Sequence, residues 1–268
     1  MAPDFALHAP AATALLGALV GGVLALTGAG GGVLAVPLLV LVLHWPLSQA
    51  APTALLAVGL AAAAGALPGL RAGEVRWRAA LLMGAAGMLG APLGVWLSQR
   101  LPSRPLLWGF GGLMVWLAWR QWPRAAPPVS TAEAPACVVN PHSGRLSWTS
   151  PCARAVAGTG LVSGTLSGLI GVGGGFVIVP ALQRHTDLAW RQVQLTSLAV
   201  IALVAASGVG AGAWQGQLNW PAALPFAAGA IVAMWGGRRW AEGLSPATSQ
   251  RLFALSCVVV AGLLWARA

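Results

Sequence analysis

The sequence predicts an all-α, polytopic membrane protein built from two homologous halves, and three observations predict it. Only 7% of the 268 residues are charged while 57% are apolar, where a soluble domain carries about 25% charged residues. The apolar residues fall in long uncharged blocks, and stretches of about 17–25 such residues are what a hydrocarbon core of about 30 Å demands of helices. Finally, an offset of 143 residues, the separation of Gly28 from Gly171, aligns 14–125 with 157–268 without a gap. A mean hydropathy of +0.77 agrees with this class.

The repeat rests on residue types that apolar composition does not explain. Identical pairs include Gly17 and Gly160, Gly21 and Gly164, Pro37 and Pro180, Gln49 and Gln192, Thr53 and Thr196, and Trp77 and Trp220. Self-similarity at one fixed offset marks a tandem duplication. The first repeat, 1–122, holds an interrupted segment over 12–44 and spans at about 52–70, 79–98 and 105–122. A linker over 123–151, rich in Pro, Ser and Thr, reads as aqueous. The second repeat, 152–268, holds an interrupted segment over 154–183 and spans at about 193–214, 220–238 and 249–266.

Each interrupted segment carries the same punctuation, "GAGGGVLAVP" from Gly28 and "GVGGGFVIVP" from Gly171. Broken backbone at membrane depth is tolerated only where it is buried in protein or lines a cavity. Two models follow. If every segment crosses, the halves are parallel and arginines split about evenly between the faces. If the broken segments enter and leave on one face, each half crosses three times and the halves are inverted repeats. One face then holds Arg71, Arg76, Arg78, Arg120, Arg124, Arg145, Arg154, Arg184, Arg191, Arg238, Arg239 and Arg251, and the other Arg100, Arg104 and Arg267. Twelve against three is a strong positive-inside bias. The favoured arrangement is six crossings, two re-entrant segments and a cytoplasmic linker in the cytoplasmic membrane. Tryptophans at block edges fit the interfacial belt, with the lipid bilayer as partner. The N-terminus has Asp4 and no basic residue before its apolar run, so no signal peptide is expected.

A helix that starts inside the membrane presents unpaired N–H groups and the positive end of its dipole, and glycines let an anion reach that backbone. The candidate substrate-binding residues are therefore Gly28, Gly30, Gly31, Gly32, Gly171, Gly173, Gly174 and Gly175. Glycines that merely ease helix packing are the competing reading. Gln49 with Thr53, and Gln192 with Thr196, stand four apart on one helix face. With Ser197 they complete the candidate set as neutral donors, capping and interhelical bonding being their alternative roles. Gln194 is a further donor in the second half. Pro52, read as a first-turn proline, leaves Gln49 in the preceding loop.

Other functions find little support. All five acids, Asp4, Glu74, Glu133, Asp187 and Glu242, fall outside the predicted spans, which opposes a cation relay built on buried carboxylates. His44 and Asp187 occupy equivalent positions at the segment exits and read as solvated. The glycine run lacks the Lys-Ser/Thr of a phosphate loop, and no metal or catalytic motif is present. Neither an enzyme, a cofactor nor a metal is expected. The net charge of +10 is scattered over short loops, so no nucleic-acid partner is expected. Cys137 and Cys152 are close enough to pair, but the sequence favours leaving them unpaired. Oligomeric state leaves no signal.

The doubled G-x-G-G-G-x-x-x-x-P segments, Thr196–Ser197 and the "RAGEVRW" loop at Arg71–Trp77 resemble the sulfite exporter TauE/SafE family of membrane permeases, over essentially the whole chain. That resemblance implies a transporter of small, sulfur-containing anions such as sulfite or organosulfonates. It departs at Pro52–Ala54, where Thr-Ser is common. Alternating access around two glycine-rich half-sites is the leading expectation. A passive anion channel and a non-transporting scaffold or assembly factor are the alternatives.

Overall fold

A computed structural model describes residues 9–28, 30–100, 103–122, 137, 147–241, 243 and 245–266. The first half holds α1 (Ala9–Thr27), α2 (Gly30–Val42), α3 (Leu47–Arg71), α4 (Trp77–Arg100) and α5 (Ser103–Gln121). The second holds α6 (Ser150–Ile170), α7 (Gly175–His185), α8 (Trp190–Trp214), α9 (Trp220–Ala241) and α10 (Pro246–Trp265). The protein is thus an all-α polytopic membrane protein, each interrupted segment being a helix pair followed by three long helices. Of the linker, only Cys137 and 147–151 lie within the described residues; Arg124, Arg145 and Arg267 lie outside them, as do Asp4, Glu133 and Glu242.

Among the described residues, five helices are long and apolar enough to cross a membrane: α1, α3, α8, α9 and α10. Expected spans α4 and α5 are long but diluted by Gly, Trp and Arg. The helix of the span at 52–70 begins earlier than Pro52 implies. Pro46, in extended backbone, starts α3 at Leu47, and the Gln49 N–H bonds the Pro46 carbonyl at 3.0 Å. Gln49 therefore sits in the first turn of α3 rather than in a loop, and Pro52 lies inside the helix.

The glycine breaks reverse the chain. Gly31 of α2 packs on Val20 and Leu24 of α1, and Gly174 packs on Ser163 of α6. Residues eleven apart in one continuous helix stand about 16 Å from each other, so each short helix doubles back on the long one before it. The two reversals are equivalent, since Val20 and Gly31 correspond to Ser163 and Gly174 in the repeat.

The halves interlock. Gly17 and Gly21 of α1 meet the backbone of Phe226 and Ala230 of α9, and the equivalent Gly160 and Gly164 of α6 meet Met83 and Gly87 of α4. Small residues let helices pack backbone to backbone where no hydrophobic effect drives them together. At the centre α3 and α8 run antiparallel: Pro52 lies against Gly212, Gly59 against Ala205, and Gly69 against Leu195. Each helix ends in the same turn, with Gly73 (φ 70°) and the equivalent Gly216 (φ 66°) left-handed. Arg100 lies 4.0 Å from the Trp96 ring and Arg120 5.2 Å from that of Trp116, arginine–tryptophan pairs of the kind found at membrane interfaces.

One expectation is overturned. Cys137 and Cys152 form a disulfide, with Cα atoms 4.9 Å apart. The cause is a backbone contact invisible in the sequence: the Cys137 N–H bonds the His185 carbonyl at 2.9 Å, which docks the linker beside the start of α6.

The interlocking predicts a sharp contrast between glycines. Gly164→Val, against the Gly87 backbone, is expected to cost about 2 kcal/mol by overpacking. Gly158→Ala, with open space around it, leaves stability unchanged. Thermal unfolding of the purified protein in detergent measures both.

Candidate functional site

Glycine is required at the tips of both helix pairs for a conformational reason. Gly28 (φ 72°) and Gly171 (φ 79°) are left-handed residues ending α1 and α6, and their N–H groups bond Leu24 at 2.8 Å and Ser167 at 2.7 Å. Such a residue ends a helix at no steric cost only when it lacks a Cβ. In the second tip Gly173 (φ 76°) and Gly174 (φ 67°) are left-handed as well. The second tip is accordingly longer: α2 begins at Gly30, whereas α7 begins at Gly175, the counterpart of Gly32.

The tips meet. Gly32 abuts the Val172 carbonyl, and a Cβ there would have Val58 Cγ1 at 3.6 Å. A Cβ at Gly173 would have Ile201 Cγ2 at 3.5 Å, Val58 Cγ1 at 3.6 Å and Leu55 Cδ2 at 3.9 Å. Val58 and Ile201 are equivalent repeat positions near the midpoints of the 25-residue helices α3 and α8. The two tips therefore cross at mid-height of the central helix pair. Gly28, Gly31 and Gly32, and Gly171 to Gly175, are buried.

Both short helices point their N-terminal ends into this crossing. The first turns of a helix leave N–H groups without helical partners, and α7 has no side-chain cap at Gly174. Ser163 instead donates to the Gly174 carbonyl at 2.9 Å, pinning the tip. The side chains that a Cβ at the tip glycines would meet are neutral: Leu24, Ala51, Leu55, Val58, Ser163, Gln194 and Ile201.

The polar candidates divide into two groups by helix face. Gln192 and Thr196 share one face, as their spacing implies, and that face meets the α3–α4 connection. The Arg76 N–H donates to Thr196 Oγ1 at 3.2 Å and its guanidinium to Gln192 Oε1 at 3.4 Å. Beside them Arg191 pairs with Glu74 at 2.9 Å. Another face of α8 turns to the tips: Gln194 lies against Gly28 and Ile201 against Gly173, with Ser197 between them at helical spacing. Ser197 is fully buried and its Oγ has no hydrogen-bond partner. In the first half Gln49 is exposed, while Thr53 is fully buried with an unpartnered Oγ1. Gly171 lies against Ala51 just as Gly28 lies against Gln194. His44 and Asp187 are exposed at the exits of the two helix pairs.

A separate cavity of about 260 Å³ opens between α4 and α8, lined by residues including Pro92, Trp96, Ser207, Gly208 and Gln215. It is one side chain removed from the second tip, because Gly208 packs on Leu55. Arg76, Ser163, Val58 and Ile201 were not among the candidates from sequence. Their partners lie on other helices, and Arg76 reads from composition only as a topology charge. No cluster of His, Cys, Asp or Glu that holds a metal is present among the described residues.

The model of the sulfite exporter TauE/SafE family matches residues 13–264. The chain is 30% identical over 248 residues to a probable membrane transporter protein of Xylella fastidiosa, covering 91% of this chain and 90% of that one. It is 30% identical over 210 residues to the probable inner membrane transporter protein TsaS of Comamonas testosteroni, covering 73% and 74%. It is also 28% identical over 193 residues to the probable membrane transporter protein YdhB of Bacillus subtilis, covering 72% and 74%. No solved structure matches it.

The two serine and threonine environments predict opposite behaviour. Thr196→Val removes the acceptor of the Arg76 N–H and is expected to lower stability by about 1 kcal/mol. Ser197→Ala removes an unpartnered hydroxyl and is expected to leave stability within about 0.5 kcal/mol or to raise it. Thermal unfolding of both variants in the same detergent decides.

Proposed function

Since the chain belongs to the sulfite exporter TauE/SafE family and is a multi-pass protein of the cell membrane, we propose that it carries a small anion across that membrane by alternating access around the two glycine tips. The observation that carries this reading is the crossing of the tips at mid-height of α3 and α8, with both helix N-termini converging there. Each N-terminus is equivalent to roughly half a positive charge. Two of them supply an attraction that needs no cationic side chain, and the free N–H groups supply directional bonds. The family description supports a sulfur-containing anion, sulfite or an organosulfonate, as cargo.

The topology we propose has six crossings, α3–α5 and α8–α10, with α1–α2 and α6–α7 as re-entrant pairs entering from opposite faces. Antiparallel α3 and α8 are equivalent repeat elements, so a two-fold axis relating them lies in the membrane plane. Transporters with inverted repeats place their site at the interface of the repeats. Twelve of the fifteen arginines then share the linker face, and the positive-inside rule makes that face cytoplasmic. The Cys137–Cys152 pair lies on this same face, where thiols are ordinarily kept reduced. The arginine bias is spread over four connections whereas the disulfide is a single bond, and we assign the face from the arginines.

The two faces are not equivalent. Arg76, Glu74 and Arg191 hold the α3–α4 connection to α8 on the linker face. Their repeat counterparts are Asn219, Gln217 and Ser48, which make no such ion pair. We read this conformation as closed toward the linker face, and the reading is of a transporter rather than an enzyme.

Two measurements test the proposal. Sulfite flux into proteoliposomes is expected to exceed that of empty liposomes and to fall at least tenfold in Gly32→Val, whose side chain meets the Val172 carbonyl. Flux no faster than in empty liposomes contradicts transport. In cells, Gln49→Cys and Gln192→Cys are expected to react with an impermeant maleimide from opposite faces, and labelling of both from one face contradicts the inverted topology.

A further inference from the structure

We infer that the tip crossing takes an oxyanion head bearing one negative charge and rejects a head bearing two. The inference deepens the transport reading and rests on it. Its starting point is what surrounds the crossing. The side chains that a Cβ at the tip glycines would meet are neutral, being aliphatic groups, Gln194 and Ser163. The arginines that reach the central helices are engaged elsewhere: Arg76 with Thr196 and Gln192 on another face of α8, Arg191 with Glu74, and Arg238 with the Gly65 carbonyl of α3 at 2.8 Å.

A site of this kind treats one charge and two very differently. Taking an ion out of water costs free energy in proportion to the square of its charge, so a doubled charge quadruples the cost. Attraction to fixed dipoles and N–H donors grows only in proportion to the charge. Neutral donors therefore offset desolvation of a monoanion and fall short for a dianion, and no cationic side chain is among the described residues that a Cβ at the tip glycines would meet. Charge on two well-separated heads of one molecule is not subject to this exclusion, because each head meets its own tip.

Ser197 is independent evidence of a polar ligand in the crossing. Its hydroxyl is fully buried, has no partner, and lies on the face of α8 between Gln194 against Gly28 and Ile201 against Gly173. A buried hydroxyl without a partner is costly unless a ligand supplies one. Its repeat counterpart is Ala54, so the donor belongs to one half only, and the site is lopsided toward the first tip. Ser197 is thus assigned as a ligand-binding residue whose loss weakens affinity without weakening the fold.

The test uses the purified full chain in proteoliposomes with three probes, the empty-liposome rate being subtracted. Methanesulfonate is a monoanion throughout, thiosulfate a dianion throughout, and sulfite passes from one to the other between mildly acidic and mildly alkaline buffer. The expected result is methanesulfonate entry on the order of 100-fold faster than thiosulfate entry. Sulfite flux should fall as the pH rises while methanesulfonate flux stays level, which excludes titration of the protein itself. Ser197→Ala should raise the methanesulfonate KM about tenfold at an unchanged melting temperature. Thiosulfate moving as fast as methanesulfonate, or sulfite flux that rises with pH, overturns the charge selection while leaving transport standing. An unchanged KM in Ser197→Ala overturns the assignment of that residue. If none of the three probes moves, the transport reading falls and this inference falls with it.

Discussion

A chain that stops being helical inside a bilayer exposes peptide groups where water is scarce, and the rest of this structure is arranged around that constraint. Each unpaired N–H in hydrocarbon costs several kcal/mol, so a break persists only if protein surrounds it. Here the surround comes from both halves of the molecule. The first tip is walled by α8 and Val172, and the second by α3, Ser163 and Ile201. Each break is covered from both halves, the first also by Val20, Leu24 and Val58 of its own half, and the packing of α1 on α9 and of α6 on α4 holds the halves in this register. Glycine is used twice over, once for left-handed backbone at the tips and once for close approach along these crossings.

The same constraint produces the chemistry. In the proposed site, N–H groups at helix starts offer bonds to an acceptor small enough to reach them, and two opposed helix N-termini favour one that carries negative charge. Van der Waals packing of Val58, Leu55 and Ile201 keeps the crossing narrow. Ser163 spends its hydroxyl on the Gly174 carbonyl, which fixes the geometry of the second tip.

Much of this was legible in the sequence, for identifiable reasons. The duplication, the helical class and the paired breaks follow from residue types whose positions are dictated locally, above all the glycine triplets at Gly30–Gly32 and Gly173–Gly175. What was not legible depends on contacts between distant segments. Thr196 and Ser197 are adjacent in sequence, yet one serves Arg76 and the other faces the tips, because about 100° of helical rotation separates neighbours. The Cys137–Cys152 bond depends on where the linker docks, and the start of α3 depends on Pro46 rather than on Pro52. Gln49 and Gln192 are equivalent in the repeat but not in the fold, one exposed and the other bonded to a guanidinium.

The central claim is that the two breaks cross at mid-height between α3 and α8, and its most direct measurement is a cross-link through that crossing. Val58→Cys and Ile201→Cys, in a chain whose Cys137, Cys152 and Cys257 are replaced by serine, place thiols on either side of Gly173. The account predicts that a short bifunctional thiol reagent joins them and that the joined protein no longer moves sulfite. Failure to join in protein that thermal unfolding shows to be folded, or undiminished flux in the joined protein, would contradict it.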